Sequence, residues 1–164
     1  LFGDRGGLWD KRVAYDPSIR IPLIVRYPPR FPAGTVCSEL ALNLDVAPTL
    51  LAVAGVPVPA AMQGRDLLAL VDGTATRDAF LYEYFADTGQ VPTILALRSR
   101  QHKLVTYPEN PELPDELYDL ARDPEERRDL AADPAAAAVL ADLRERLAAL
   151  AAETGFRSPA RDAY

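Results

Sequence analysis

The chain has 164 residues, of which 49% are hydrophobic and 26% charged, the balance of a globular protein with room for one domain and an appendage. This composition excludes intrinsic disorder, and no apolar run reaches the ~18 residues that a membrane-spanning helix needs. The net charge of −6 argues against general nucleic-acid binding, which depends on neutralising phosphates.

The charge is uneven. Residues 1–30 carry six Lys/Arg against three Asp, whereas residues 108–134 carry ten Asp/Glu against three Arg. The basic N-terminal stretch suits a small anion. The single cysteine, Cys37, excludes an intrachain disulfide and every multi-cysteine zinc site, and the single histidine, His102, excludes a His-based metal cluster. The chain opens Leu1-Phe2-Gly3 without methionine or a signal-peptide pattern. It is therefore expected to begin in the middle of something larger, with any export signal outside it.

Residues 1–19, with Gly3, Gly6 and Gly7 among charges, read as a loop. Ile19–Tyr27 is nearly continuous in apolar and β-branched residues and is closed by Pro28-Pro29, which predicts a strand buried on both faces of a parallel sheet. Thr35–Leu40 is a second candidate strand. A helix is expected from Asp45, as its cap, to Gly55, burying Val46, Leu50, Val53 and Ala54. A short helix should follow near residues 64–71, ending at Asp72-Gly73.

From residue 79 the pattern shifts to four strand-length segments, Phe80–Phe85, Thr93–Ser99, His102–Tyr107 and Glu116–Leu120. Arg100-Gln101 reads as a tight hairpin connection, so an antiparallel sheet is expected. Asp133-Pro134 then opens a helix of about residues 134–153, with Val139, Leu140, Leu143, Leu147 and Leu150 at helical spacing. The expected organisation is 1–78 and 79–164, in an α/β class whose second part is an antiparallel sheet with a packed helix.

Few residues carry chemistry. No Gly-rich phosphate loop follows a strand, and no serine sits in a nucleophile elbow. His102 lies mid-strand and reads as an ordinary sheet histidine; Cys37 reads as a small buried hydrophobe. The functional candidate is the cationic loop before the first apolar run, where ligands of open α/β sheets bind. In it Lys11 is a compact charge suited to an oxyanion. The alternative is that Lys11 and Arg20 merely pair with Asp4, Asp10 and Asp16.

The string Gly7-Leu8-Trp9-Asp10-Lys11-Arg12-Val13-Ala14-Tyr15-Asp16-Pro17-Ser18-Ile19-Arg20-Ile21-Pro22-Leu23-Ile24-Val25-Arg26-Tyr27-Pro28 closely resembles the "GLWDKR-x-x-YE-x-S-x-R-x-PLIVRYP" block of type I sulfatases. Asn43–Leu51 is similar to that family's "N-x-D-[LV]-APTLL" helix, and Met62–Leu68 to its "MQGRSLL" segment. His102-Lys103-Leu104-Val105 resembles "YKLI", and Glu116–Leu120 with Asp123-Pro124-Glu125-Glu126 resembles "ELYDL-x-x-DP-x-E". The blocks stand in the family's order over about residues 3–150.

The resemblance implies the end of an alkaline-phosphatase-like α/β domain, followed by a small antiparallel subdomain with a packed C-terminal helix. It also implies a sulfuric ester hydrolase that uses calcium and a formylglycine made in a C/S-x-P-x-R motif. This chain has no such motif, since Ser158-Pro159-Ala160-Arg161 lacks the intervening residue. The family's "DHG" strand end is missing as well. The chain is thus expected to be the C-terminal part of a sulfatase, inactive alone, with calcium ligands and formylglycine outside it. Lys11, followed by Tyr15 and Asp16, matches the family's sulfate-binding lysine in "K-x-x-x-Y-E", which makes it the catalytic and substrate-binding candidate. Asp4 and Arg5 stand in the substrate-contact loop, but Gly3-Asp4-Arg5-Gly6 replaces the usual "GEHG" and Gly7 is additional. The implied substrate is a small sulfated sugar or aryl sulfate. A phosphonate or phosphate monoester hydrolase of the same superfamily and a non-catalytic binding module are the alternatives. Neither compartment nor oligomeric state follows from the resemblance.

Overall fold

The alternating segments after residue 79 form four antiparallel strands in the order β1-β2-β3-β4, where β1 is Ala79–Tyr84, β2 Ile94–Ser99, β3 His102–Thr106 and β4 Glu116–Asp119. The structure, a computed structural model, describes residues 11–85 and 91–158. Its helices are α1 (Asp16–Ile19), α2 (Val46–Val53), α3 (Leu67–Val71) and α4 (Ala137–Thr154), with 3₁₀ turns at Asn43–Asp45 and Pro134–Ala136. Two compact units emerge: Pro22–Asp78, and residues 11–21 together with 79–158.

Register explains the sheet unit. Leu81, Leu97, Leu104 and Leu117 are direct cross-strand partners and form one row on one face. Leu140, Leu143 and Leu147 of α4 pack on that row at the spacing of successive helical turns. Each fully buried leucine contributes ~1.5–3 kcal/mol relative to exposure, so this layer is the unit's main apolar stabilisation. Asp133 accepts from the amide of Ala135 and Pro134 occupies the first turn, as its missing N–H allows. The helix ends on Gly155 at φ 74. The two-residue connection Arg100-Gln101 is tied by Ser99, whose Oγ accepts from the His102 amide at 2.9 Å.

The other sheet face is covered by the chain's own N-terminal segment. Ala14 packs with Ile94, Ala96 and Val105, with Tyr82, Tyr84 and Tyr107 around them. This packing is why residues 11–21 group with the sheet and not with the stretch up to residue 78.

In the Pro22–Asp78 unit the expected helices form, but their faces differ from expectation. Asp45 stands at the N-cap of α2 but its side chain makes no cap bond to the helix; its carboxylate turns inward, and Pro48 and Thr49 are buried while Val46 and Leu50 face outward, Leu50 at 62% exposure. Thr49 makes the inward face polar, donating to the Asp45 carbonyl at 2.7 Å and accepting from the Leu67 amide at 2.8 Å. Gly64 lies so close to Leu44 that an added Cβ would stand 2.1 Å from its carbonyl oxygen, so only glycine fits.

Two predicted strands are absent. Residues 19–27 end α1 and continue without strand pairing, and Ile24 is 92% exposed. Residues 35–40 are also unpaired, and Cys37 is exposed, not buried. A strand needs at least one neighbouring strand to satisfy its backbone N–H and C=O groups, and among the described residues none pairs with either segment. Leu143→Ala is therefore expected to lower the stability of the 164-residue chain by about 2–5 kcal/mol in urea denaturation. Ile24→Ala should change it by no more than about 0.5 kcal/mol; equal losses would refute this assignment of the core.

Candidate functional site

Lys11 sits at the head of a segment fastened to the sheet at several points. Its carbonyl accepts from Ser18 Oγ at 2.7 Å, which closes the turn between them, and the Lys11 side chain is exposed. Pro17, in the first turn of α1, sets φ for a helix whose N-cap is Tyr15. Tyr15 donates to Glu116 Oε2 at 2.8 Å and meets Tyr118 edge-on, with ring centroids 6.0 Å apart. Glu116 also accepts from Tyr118 at 2.5 Å and from Tyr107. Burial, reinforced by the Glu116 carboxylate, pushes both Tyr107 and Tyr118 well above the ordinary tyrosine range, so they remain donors.

Beneath Tyr15 lies a buried ion cluster. Lys103, fully buried on β3, donates to Asp16 Oδ1 and to Glu126 Oε1, each at 2.5 Å. Arg98, its cross-strand neighbour on β2, donates to Asp16 Oδ2 at 3.2 Å. The Asp16 amide donates to Glu126 Oε2 at 2.7 Å. Among the described residues, two cations, Lys103 and Arg98, face two carboxylates, Asp16 and Glu126. Burial raises the Asp16 pKa, but the hydrogen bonds and charges of Lys103 and Arg98 outweigh it and hold the carboxyl below its ordinary value. Asp16 is thus paired with sheet cations, not with Lys11 or Arg20.

The second unit contains an analogous clamp. Arg77 donates to both Asp45 oxygens at 2.7 Å, a bidentate pair, and to the Leu40 carbonyl at 2.6 Å. The amides of Leu42 and Arg65 complete the Asp45 shell at 2.7 and 2.8 Å. Burial again raises the pKa, and the Arg77 and backbone hydrogen bonds more than reverse the effect. Removing the Arg77 side chain would leave a buried carboxylate uncompensated, a loss typically of about 3–5 kcal/mol.

Of the residues singled out from the sequence, Lys11 is placed as described, whereas Asp4 and Arg5 lie outside the described residues. His102 starts β3 and lines a cleft of about 270 Å³ beside α4 with Asp119, Arg122, Arg128 and Asp133. The arginines of that cleft are already paired, Arg122 with Asp119 and Arg128 with Asp133. His102 and Lys103 alternate across the sheet, so the cleft is on the face opposite the Lys11 segment. Among the described residues no cluster of His, Cys, Asp and Glu fits a metal ion, and the fully buried carboxylates of Asp45 and Glu126 are each matched by a cation. The described residues therefore do not form the metal centre expected of a sulfatase. Local sequence pattern does not distinguish Lys103, Glu126, Arg98 and Arg77 from solvated charges, although the first two fall inside the family-like blocks.

Residues 3–153 match the family described as N-sulphoglucosamine sulphohydrolase, C-terminal. An N-acetylglucosamine-6-O-sulfatase of Bacteroides thetaiotaomicron is 34% identical over 127 residues, covering 73% of this chain and 23% of that protein. A solved structure of a protein in complex with its substrate D-glucosamine-2-N,6-O-disulfate superposes with a TM-score of 0.87 at 30% identity, over 99% of this chain and 34% of the other. A phosphonate monoester hydrolase from Silicibacter pomeroyi superposes with a TM-score of 0.77 at 30% identity, over 93% of this chain and 32% of the other. The chain thus spans about a quarter to a third of the length of these relatives.

The depressed carboxyls of the two clamps, Asp16 and Asp45, set an acid limit on stability. Both titrate from an ordinary value of 3.8, and in the folded chain they hold their charge to lower pH. The unfolded chain then binds more protons, so this contribution is complete above the ordinary value and is lost as pH falls through the folded values. The urea midpoint should be level at neutral pH and fall steeply below pH 3.8. A midpoint unchanged through that range would contradict the two clamps.

Proposed function

The chain belongs to the sulfatase family, as the C-terminal part of an alkaline-phosphatase-like fold, and from this premise we propose that it serves a sulfuric ester hydrolase in which Lys11 engages the sulfate. The observation that carries this reading is an exposed lysine on a segment fastened through the Lys11 carbonyl, the Tyr15 hydroxyl and the Asp16 amide. A sulfate ester carries one negative charge, and charge grows on the leaving oxygen as the S–O bond lengthens. A positioned cation there is worth more in the transition state than in the ground state.

Residues 1–78 are assigned to the end of the sulfatase α/β domain and 79–164 to the small subdomain, on whose sheet residues 11–21 pack. The outward apolar side chains of residues 21–27 and of Leu50 would pack against the rest of that domain. Calcium and formylglycine, held by residues outside this chain, would supply the nucleophile and its activation. The substrate class is a sulfated sugar or an aryl sulfate, by likeness to the relative solved with a disulfated glucosamine. A phosphonate monoester also carries one negative charge and would meet Lys11 equally well, which keeps that substrate as a second reading.

In the full-length protein Lys11→Ala should lower kcat for para-nitrophenyl sulfate by about 10²–10³, the usual effect of removing one transition-state donor. Arg144→Ala, which breaks an exposed pair with Asp115, should leave kcat unchanged. Unchanged kcat in Lys11→Ala would refute the assignment. Faster turnover of a phosphonate monoester than of the sulfate would favour the second reading. The 164-residue chain by itself should turn over neither ester.

A further inference from the structure

We propose that the Lys103–Asp16–Glu126 cluster is a positioning device for Lys11, so that the small antiparallel sheet acts in the reaction by holding the sulfate-binding lysine in place. The inference rests on the assignment of Lys11 above and adds the residues through which its position is set.

The linkage is short and continuous. Lys103 and Glu126 are fully buried, and Asp16 is nearly so. Asp16 is held at three points: Lys103 and Arg98 grip its carboxylate, and its amide is bonded to Glu126. Ser18, two residues on and also buried, donates to the Lys11 carbonyl at 2.7 Å. The Lys11 backbone is therefore tied through Ser18 and α1 to three sheet-unit side chains that are distant in sequence.

Two further observations separate positioning from simple stabilisation. Buried ion clusters of this kind contribute little net stability compared with apolar packing of the same volume. They do, however, impose a direction and a distance, which interchangeable apolar contacts do not. Glu126 also holds a left-handed backbone at φ 55, an unfavourable conformation for a residue with a Cβ. The loop after β4 thus accepts local strain while placing this carboxylate between the Asp16 amide and Lys103.

The test compares four forms of the full-length protein: unaltered, Lys11→Ala, Lys103→Met, and the double variant. Each is assayed for kcat on para-nitrophenyl sulfate well below its unfolding temperature. Lys103→Met alone should lower kcat by about 10- to 100-fold, the loss expected when a reacting group is displaced by about an ångström. In the Lys11→Ala background it should cause no further loss. Lys103→Arg, which keeps the charge, should recover part of the activity. Leu143→Ala, which removes packing on the opposite sheet face, should keep kcat near the unaltered value despite lowering stability. Should Lys103→Met fail to fold, Glu126→Gln replaces it in the same four-way comparison. Losses that multiply in the double variant, or an unaltered kcat in the Lys103 and Glu126 variants, would overturn the positioning role alone. An unaltered kcat in Lys11→Ala would overturn the lysine assignment and this inference with it.

Discussion

A buried ammonium group, that of Lys103, lies 2.5 Å from each of two carboxylates contributed by residues far from it and from each other in sequence. A charge withdrawn from water in this way is tolerated only when it is paired and hydrogen-bonded. Asp16 and Glu126 meet that condition, and in doing so they determine where the N-terminal segment lies. With Asp16 on Lys103 and Arg98, Ala14 falls onto Ala96 and Val105, Tyr15 reaches Glu116, and Ser18 closes on Lys11. The sheet is thereby covered on both faces, by α4 on the leucine row and by the N-terminal segment on the other.

The Pro22–Asp78 unit follows the same logic with different residues. The bidentate Arg77–Asp45 pair, completed by the amides of Leu42 and Arg65, organises a unit with little apolar interior. In the sheet unit the sequence blocks shared with sulfatases converge on the Lys103–Asp16–Glu126 cluster, and in the other unit on the Asp45 carboxylate. Within these blocks Asp16, Lys103, Glu126 and Asp45 hold the backbone in place. Lys11 stands apart from them: its backbone is held, and its side chain is exposed.

What could be read from the sequence was whatever depends on neighbours along the chain. The four strands, the Arg100-Gln101 connection and the capped ends of α4 follow from local periodicity, turn chemistry and capping. The failures have a common origin in partners that local pattern does not reveal. Ile19–Tyr27 has strand composition but no strand beside it among the described residues. The apolar face of α2 points outward because the inward face serves the Asp45 clamp. Cys37 is exposed because the strand expected around it does not form. Hardest to read were the buried charges. Asp16, Lys103 and Glu126 look like solvated residues in any local window, and their only signal was membership of the recurring blocks.

Native-state hydrogen exchange at the Asp16 amide, resolved by NMR, tests the central interaction most directly. That N–H donates to Glu126 Oε2 and lies outside the sheet ladder, so secondary structure gives it no protection of its own. If the cluster docks the segment as described, the Asp16 amide exchanges as slowly as the amides of β3, and Lys103→Met accelerates it while β3 retains its protection. Rapid exchange of Asp16 in the unaltered protein would show that the N-terminal segment is not held by the cluster.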